Sequence, residues 1–285
     1  MRTRIWPRRP QNRIAATFAR CRREGRAAFI PFIMAGDPSL DALPGLMLAL
    51  EDGGADLIEL GVPFSDPIAD GPINQRAATR ALEAGTTLSA ILHVVAERRD
   101  RIGVPIVLFT YFNLIHRRGV ESFAEQAAAS GIDGVLCVDL PPDEAEEEVS
   151  PVLAAHGLDP IFLLAPTSTE ERVKSVVRSS RGFVYYASRS AVTGEKATLP
   201  AELLGDLRRL RRRVKLPIAV GFGISTAEQA RAVGAVADGV IVGSTLVRLI
   251  EEHGSDPGLP ARLEARVREL AAATRPGAPE ALEAW

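Results

Sequence analysis

The chain has 285 residues, of which 46% are hydrophobic and 25% are charged, and its formal net charge is −2 at pH 7. This composition is typical of a globular protein with a large core, and it excludes a disordered, collagen-like or disulfide-rich chain. The balanced charge provides no overall attraction to nucleic acid or to an anionic membrane. With only two cysteines, the expected location is the reducing cytoplasm.

The N-terminal segment is strongly basic, because the first 23 residues contain eight arginines and no acidic residue. A transit peptide has a similar composition. The helical spacing of Ile14, Phe18 and Cys21 instead favours an amphipathic surface helix over about residues 12–23.

Eight short apolar runs follow along the chain and predict buried β-strands. They are continuous rather than alternating in polarity, which is typical of strands that are covered on both faces. Amphipathic stretches separate the runs, whose starts recur about every 30 residues, the length of one βα unit. The runs are residues 28–34, 57–60, 105–109, 134–138, 160–164, 183–187, 217–220 and 239–242.

Strand–helix alternation of this kind predicts a parallel sheet, and eight βα units can close into a barrel. We therefore expect an α/β fold, a (β/α)8 TIM barrel with an extra N-terminal helix. An open doubly wound sheet is the alternative, but the turn at residues 35–38 lacks the glycine-rich dinucleotide pattern. We expect a flexible arginine-rich extension over residues 1–11, a single barrel domain over 12–274 and a flexible tail over 275–285.

Two sequence pairs predict where helices begin. Ser168 with Glu171 and Ser225 with Glu228 fit the capping box, in which Ser or Thr is the N-cap and Glu or Gln follows three residues later. We expect a helix directly after each serine.

The catalytic groups of a TIM barrel lie at the carboxyl ends of its strands, and the densest polar signal there begins at Glu59. This carboxylate lies inside the apolar second run, so that either the barrel interior or the surrounding helices would desolvate it. Burial of an unpaired carboxylate is costly or raises its pKa, which points to acid–base catalysis; the alternative is a structural ion pair with an arginine. Asp66 and Asp70 follow in the next loop, where Asp66 is equally well explained as a turn residue.

Glycines after the last three runs predict a phosphate site. Gly194 lies in the loop after the sixth run, Gly223 follows the seventh, and Gly243 with Ser244 follows the eighth and opens a helix. Backbone N–H groups at such positions bind phosphate, and this is where TIM barrels bind it. Ordinary helix-start turns are the alternative.

Aromatic residues and missing motifs narrow the chemistry further. Phe32, Tyr111, Tyr185 and Phe222 lie in or just after predicted strands; each alone is typical of core, but the set indicates a pocket for a flat apolar substrate. The histidines and cysteines show no metal-ligand spacing. None of the three lysines lies inside a predicted strand, which argues against Schiff-base chemistry.

The segment ELGVPFSDPIADGP at residues 59–72 resembles the signature of the tryptophan synthase alpha chain family. Segments at 31–38, 188–194, 221–225 and 243–244 are also similar to that family, so that the resemblance extends over about residues 12–272. It implies a lyase of tryptophan biosynthesis that cleaves indole-3-glycerol phosphate by a retro-aldol reaction to indole and D-glyceraldehyde 3-phosphate. It implies no metal, no Schiff base and no cofactor in this chain.

The resemblance also assigns roles to individual residues. Glu59 would be the catalytic acid–base, and Asp70 would engage the indole N–H. Three departures from the family pattern leave both groups in place: Met34 where Thr is frequent, Ala191 where Gly is usual, and a shorter loop after Gly194. The implied substrate-binding residues are Phe32, Tyr111, Leu136, Tyr185, Thr193, Gly194, Phe222, Gly223, Gly243 and Ser244.

The same resemblance implies a partner, the pyridoxal-phosphate-containing beta chain, in an αββα heterotetramer. The side facing that partner would include Asp66, Pro67, Asn113 and Pro141. Three alternatives remain: a stand-alone indole-releasing lyase, a catalytically silent subunit that activates its partner, and another phosphate-binding barrel such as a sugar-phosphate isomerase or epimerase. The intact partner-side loop counts against a stand-alone lyase, and the two carboxylates count against a silent subunit. The aromatic residues count against another phosphate-binding barrel.

Overall fold

The computed structural model describes residues 12–187, 201–221 and 223–275. Its strands follow the eight predicted apolar runs closely, except that the fifth run forms two short strands on either side of Phe162. The strands are β1 (Ala28–Met34), β2 (Ile58–Gly61), β3 (Ile106–Thr110), β4 (Gly134–Cys137), β5 (Asp159–Ile161), β6 (Leu163–Leu164), β7 (Val184–Ala187), β8 (Ile218–Gly221) and β9 (Gly239–Val242).

Helices connect the strands and surround the sheet. None of those in the described ranges is long and apolar enough to cross a membrane. The helices are α1 (Arg13–Arg23), α2 (Leu43–Asp52), α3 (Pro72–Glu83), α4 (Leu88–Arg98), α5 (Phe112–His116), α6 (Val120–Ser130), α7 (Pro142–Glu148), α8 (Ser150–Ala155), α9 (Glu170–Ser179), α10 (Ala201–Arg211), α11 (Ala227–Gly234), α12 (Ser244–His253) and α13 (Leu259–Ala273), and a 3-10 turn (Arg99–Arg101) follows α4.

The strands form one parallel sheet in the order β5-β4-β3-β2-β1-β9-β8-β7-β6. Its two ends, β5 and β6, are consecutive in the chain and are joined by Phe162 alone, so the sheet closes on itself at this residue. The predicted (β/α)8 barrel is therefore confirmed, and the doubly wound alternative is wrong.

Helix α1 closes the amino-terminal end of the barrel, which confirms the predicted extra helix. The Asn12 side chain caps it by accepting a hydrogen bond from Ala15 N–H at 2.9 Å. Ile14, Phe18 and Cys21 are buried and join the core inside the barrel, where the rings of Phe18 and Phe183 lie 5.5 Å apart. Helix α1 therefore lies at the end of the barrel opposite to the carboxyl ends of the strands, where the functional site is expected.

Both predicted capping boxes are wrong by one residue. The N-cap of α9 is Thr169, whose hydroxyl accepts from Arg172 N–H, while Ser168 accepts from Ala165 N–H in the preceding turn. The N-cap of α11 is Thr226, in a capping box with Gln229. Two adjacent hydroxyl residues can each cap a helix, and the path of the incoming loop selects the second.

Three aspartates tie neighbouring strands together at the amino-terminal rim of the barrel. Asp56 lies just before β2 and accepts a hydrogen bond from Phe29 N–H of β1 at 3.0 Å. Asp133, before β4, and Asp238, before β9, accept in the same way from the first residues of β3 and β8. Each carboxylate also pairs with arginine, so that the cost of burying its charge is offset by an opposite charge and by hydrogen bonds.

We expect Asp56→Ala to destabilise the protein by about 3–5 kcal/mol, because the buried Arg26 guanidinium loses its buried partner and keeps only Glu24 at the surface. Burial raises the pKa of Asp56, but hydrogen bonds from Arg26 and Phe29 outweigh it and hold the pKa below its usual value. The stabilisation of the folded state by the Asp56 carboxylate is therefore present above the pKa of Asp56 in the unfolded chain. It is lost as the pH falls through the lower pKa of the folded state. Urea unfolding at pH 7 measures the difference; exposed Asp100→Ala is the control, and a loss no larger than the control's contradicts the prediction.

Candidate active site

The site is a cavity of about 260 Å³ at the carboxyl ends of the strands. It brings together predicted site residues from β1, β2 and β7 and from the loops after β2, β8 and β9. These residues are Phe32, Glu59, Asp70, Tyr185, Gly223, Gly243 and Ser244. Sequence positions that lie far apart thus converge on one concave surface, which is the usual form of a small-molecule site.

Glu59 lies on the cavity wall with only 1% of its surface exposed. Its neighbours in register are Phe32 on β1 and Val107 on β3, so its side chain shares the inner face of the barrel with Leu57. Its Oε1 is buried, and none of the described residues forms a hydrogen bond to it or an ion pair with it. The geometry therefore argues against a structural ion pair for Glu59.

The surroundings of Glu59 favour its protonated form. Burial, and secondarily the charge of Asp70, raise its pKa from the usual 4.5 to about 8. A carboxyl group with this pKa holds a proton at neutral pH and can give it up with little driving force, as a general acid–base requires.

Asp70 forms the second acidic position of the cavity. Burial raises its pKa above the usual value, and the hydrogen bond from the Tyr111 hydroxyl offsets this rise only in part. The Tyr111 hydroxyl donates to Asp70 Oδ2 at 2.7 Å and accepts from Ala69 N–H at 3.1 Å. Asp70 thus has a donor to its carboxylate, whereas none of the described residues donates to Glu59.

Aromatic and aliphatic side chains form the apolar wall. The rings of Phe32 and Phe109 meet edge to face at 5.4 Å, and Tyr185 and Ile241 line the cavity as well. Gly61 makes room for this arrangement, because a Cβ atom there would lie 2.7 Å from Phe32 Cζ. The wall is suited to a flat, apolar ring.

Gly223, Gly243 and Ser244 form another part of the cavity lining. Gly223 has a φ of +73°, a conformation that favours glycine. Gly243 precedes the first residue of α12, so the predicted helix start at Ser244 is confirmed. The first N–H groups of a helix have no acceptor within it and are available to an anion.

Several cavity residues were not predicted from the sequence. Most belong to the loop before α3 and to its first turn, and the others are apolar side chains of the strands and of the loop after β8. They are Ala69, Gly71, Pro72, Ile73, Asn74, Phe109, Ile224 and Ile241. The inner-face alternation of β3 could have identified Phe109, because Val107 and Phe109 lie on the same face.

Three other predicted positions lie away from the cavity wall. Tyr111 is buried and reaches the cavity through its hydrogen bonds with Asp70 and Ala69, and Leu136 is fully buried in the core inside the barrel. Asp66 is exposed and accepts from the Ser65 hydroxyl. Thr193, Gly194, Phe222 and Ala191 lie outside the described residues.

Within the described ranges, no group of three or more His, Cys, Asp or Glu side chains is arranged to hold a metal ion. The cavity contains two carboxyl groups with different surroundings. Glu59 has a raised pKa and no partner among the described residues, and Asp70 accepts a hydrogen bond from Tyr111.

Comparison with known proteins identifies close relatives. The sequence profile of the family described as "Tryptophan synthase alpha chain" matches residues 18–275. The tryptophan synthase alpha chain of Solibacter usitatus is 49% identical over 258 residues, covering 90% of this chain and 96% of that protein. That of Geobacter sulfurreducens is 52% identical over 240 residues, covering 84% and 90%.

Solved structures agree with these sequence matches. Tryptophan synthase subunit alpha from Legionella pneumophila superposes with a TM-score of 0.86 at 37% identity, covering 93% of this chain and 99% of that one. A chain of Mycobacterium tuberculosis tryptophan synthase gives a TM-score of 0.85 at 41% identity, covering 94% and 100%.

The buried Glu59 carboxyl predicts a pH-dependent effect on stability. Its pKa is raised from 4.5 to about 8. The contribution of Glu59 to the free energy of unfolding is therefore most favourable below pH 4.5 and is lost as the pH rises to 8. The side chain introduced by Glu59→Gln cannot ionise, so the variant avoids this loss. We therefore expect the melting temperature of the variant minus that of the wild type to be a few degrees larger at pH 9 than at pH 5. Thermal unfolding at both pH values tests this, with exposed Glu83→Gln as control; a difference independent of pH would contradict it.

Proposed function

Because the chain belongs to the tryptophan synthase alpha chain family, whose reaction is the cleavage of indole-3-glycerol phosphate to indole and glyceraldehyde 3-phosphate, we propose that Glu59 and Asp70 perform this reaction here. The single observation that carries the assignment is the unpartnered, buried Glu59 carboxyl on the cavity wall. With a pKa of about 8, the Glu59 carboxyl carries at neutral pH the proton that the first step needs.

In the first step, Glu59 donates its proton to indole C3, which leaves a positive charge centred on the ring nitrogen. Asp70 accepts a hydrogen bond from the ring N–H and stabilises that charge as it develops. The ring lies against the apolar wall of Phe32, Phe109 and Tyr185, which excludes water from the reacting atoms.

In the second step, the Glu59 carboxylate removes the proton from the hydroxyl on the glycerol carbon that is bonded to indole C3. The bond between the two carbons breaks, its electron pair returns to the ring, and the hydroxyl oxygen becomes the aldehyde oxygen. Indole and glyceraldehyde 3-phosphate result, and Glu59 is protonated again. One carboxyl group thus serves both steps, because its pKa allows proton transfer in either direction.

The phosphate group is proposed to bind at Gly223, Gly243 and Ser244. These residues line the cavity beside the first turn of α12, where free backbone N–H groups favour an anion. Thr193, Gly194 and Phe222 remain predicted contributors, as do Tyr111 and Leu136. The proposal assigns no metal and no cofactor to this chain.

The chain is further proposed to act with the pyridoxal-phosphate-containing beta chain in an αββα complex. Asp66 and Pro67 follow β2, Asn113 lies in α5 after β3, and Pro141 precedes α7 after β4. These three strands are neighbours in the sheet, which puts the four residues on one side of the carboxyl rim. Indole release measured with and without purified beta chain distinguishes this from a stand-alone lyase and from a silent subunit.

We expect Glu59→Gln to lower kcat for indole release by about 10²–10⁴-fold, the range for loss of a general acid–base. Exposed Glu83→Gln is the matched control and should keep wild-type activity. If Glu59→Gln folds and retains more than about a tenth of the wild-type rate, Glu59 is not the proton-transferring group.

Gly243→Val should raise KM for indole-3-glycerol phosphate well above its effect on the affinity for free indole. A Cβ atom at Gly243 would lie 3.3 Å from Phe32 Cδ1, and the added methyl groups would keep phosphate from the amides of α12. Gly205→Val, which meets no atom within 4 Å of its Cβ, is the control. Equal weakening for both ligands would show that Gly243 is not specific to the phosphate.

A further inference from the structure

The two ends of the proposed site are carried by two helices that contact each other, α3 and α12. Helix α3 begins shortly after Asp70, and its first turn lines the cavity. Helix α12 begins at Ser244, which lines the cavity together with Gly243. A substrate that spans the cavity from the Asp70 carboxyl to the amides of α12 therefore meets groups whose separation depends on how the two helices are placed.

Apolar packing between α3 and α12 involves mostly small side chains. Three alanines of α3 share one buried cluster with Val247 of α12 and with Phe32 and Met34 of β1. Alanine side chains make few contacts, so this packing alone offers little resistance to a shift of one helix along the other. The alanines are Ala77, Ala78 and Ala81.

A network of charged side chains joins the same two helices. The Arg80 guanidinium of α3 donates from Nη1 to Glu251 Oε1 of α12 at 2.7 Å. It also donates to both oxygens of Asp37, from Nε at 2.9 Å and from Nη2 at 2.8 Å. Arg76, one turn earlier in α3, donates to both oxygens of Glu251 at 2.7 Å each. Planar guanidinium groups that bind in this way fix direction as well as distance.

The network differs from an isolated surface ion pair, which contributes little to stability. Asp37 lies in the turn after β1 with 1% of its surface exposed, so the Arg80 side chain is anchored to the barrel itself. Glu251 is then held by two arginines at once. Helix α12 is thus connected through one carboxylate to α3, and through Arg80 to the turn after β1.

We propose that Glu251 is a positioning residue, whose ion pairs with Arg80 and Arg76 set the distance between the indole end and the phosphate end of the site. The ligand class that depends on it is an aromatic ring joined to a phosphate by a short chain. The inference rests on the function proposed above, because it takes the Asp70 side of the cavity as the ring end and the start of α12 as the phosphate end. Glu251 is not part of the cavity wall, so it acts through the placement of the helices.

A ligand that is held at both ends binds more tightly than either of its parts, because binding of one part raises the effective concentration of the other. This gain depends on the match between the linker and the separation of the two ends. Loss of the ion pairs should therefore weaken the linked ligand and leave the separate parts bound as before. A change that damaged one end directly would also weaken the part that binds there.

The test is calorimetric titration of the full chain with 3-(indol-3-yl)propyl phosphate, and with indole and glycerol 3-phosphate as its separate parts, measured by displacement. We expect Glu251→Ala to weaken the linked ligand about tenfold and each separate part less than about twofold. This variant leaves the buried pair of Asp37 and Arg80 in place, so the barrel should still fold. Glu251→Gln keeps the length of the side chain and loses its charge, so its effect should be intermediate.

Glu146→Ala is the matched control. Glu146 of α7 accepts two hydrogen bonds from Arg178 of α9, which is also an ion pair between two helices. Neither of these helices lines the cavity, so all three affinities should stay at their wild-type values.

The inference is overturned if Glu251→Ala weakens the linked ligand less than about twofold, if it weakens a separate part by the same factor, or if Glu146→Ala gives the same pattern. A wild-type chain that binds the linked ligand no more tightly than indole overturns it as well. A wild-type chain that shows the gain but releases no indole from indole-3-glycerol phosphate would refute the proposed function, and the three affinities would still decide the role of Glu251.

Discussion

The structure depends on one constraint: a carboxyl group must be kept inside the barrel without an ion-pair partner among the described residues. Glu59 is 1% exposed, and none of the described residues forms a hydrogen bond to its Oε1, so ionisation costs it hydration that they do not replace. The pKa of Glu59 rises for this reason, and the proton it holds at neutral pH is the reagent of the proposed reaction. An arginine beside Glu59 would stabilise the fold and remove the chemistry.

The rest of the barrel can be understood as support for this one destabilised group. At the amino-terminal rim, Asp56 is buried with partners, since it pairs with Arg26 and accepts from Phe29 N–H. Helix α1 fills that end with apolar side chains. At the carboxyl rim, Asp70 lines the cavity and is placed close enough to act on Glu59 electrostatically. The stabilising ion pairs of Asp56, Asp133 and Asp238 thus lie at the amino-terminal end of the barrel, and the proposed catalytic groups lie at the carboxyl end.

Much of the fold was predictable, because its signals are local or periodic. Continuous apolar runs at βα spacing predicted the strands and the barrel. The N-caps of α9 and α11 were predicted one residue too early, because each helix is preceded by a serine and a threonine that can both act as N-cap. Which of the two caps the helix depends on the tertiary path of the incoming loop. The break at Phe162 has no local signal, since strand pairing changes there from β4 on one side to β7 on the other.

The site was predictable to the extent that its residues follow strands. Glu59 stands out as a charge in an apolar run, and Gly243 as a glycine between a strand and a helix. Asn74 was missed because its place on the cavity wall depends on which way the first turn of α3 faces, which has no local signal in the sequence.

The most direct test of the account is the pKa of the Glu59 carboxyl itself, measured by ¹³C NMR in the wild-type chain and in Asp70→Asn. The account predicts a midpoint near 8 in the wild type. It predicts a lower midpoint, still above 4.5, when Asp70 is neutral, because burial is the larger cause. A wild-type midpoint near the usual 4.5 would show that Glu59 is hydrated or paired, and would contradict its role as the proton donor.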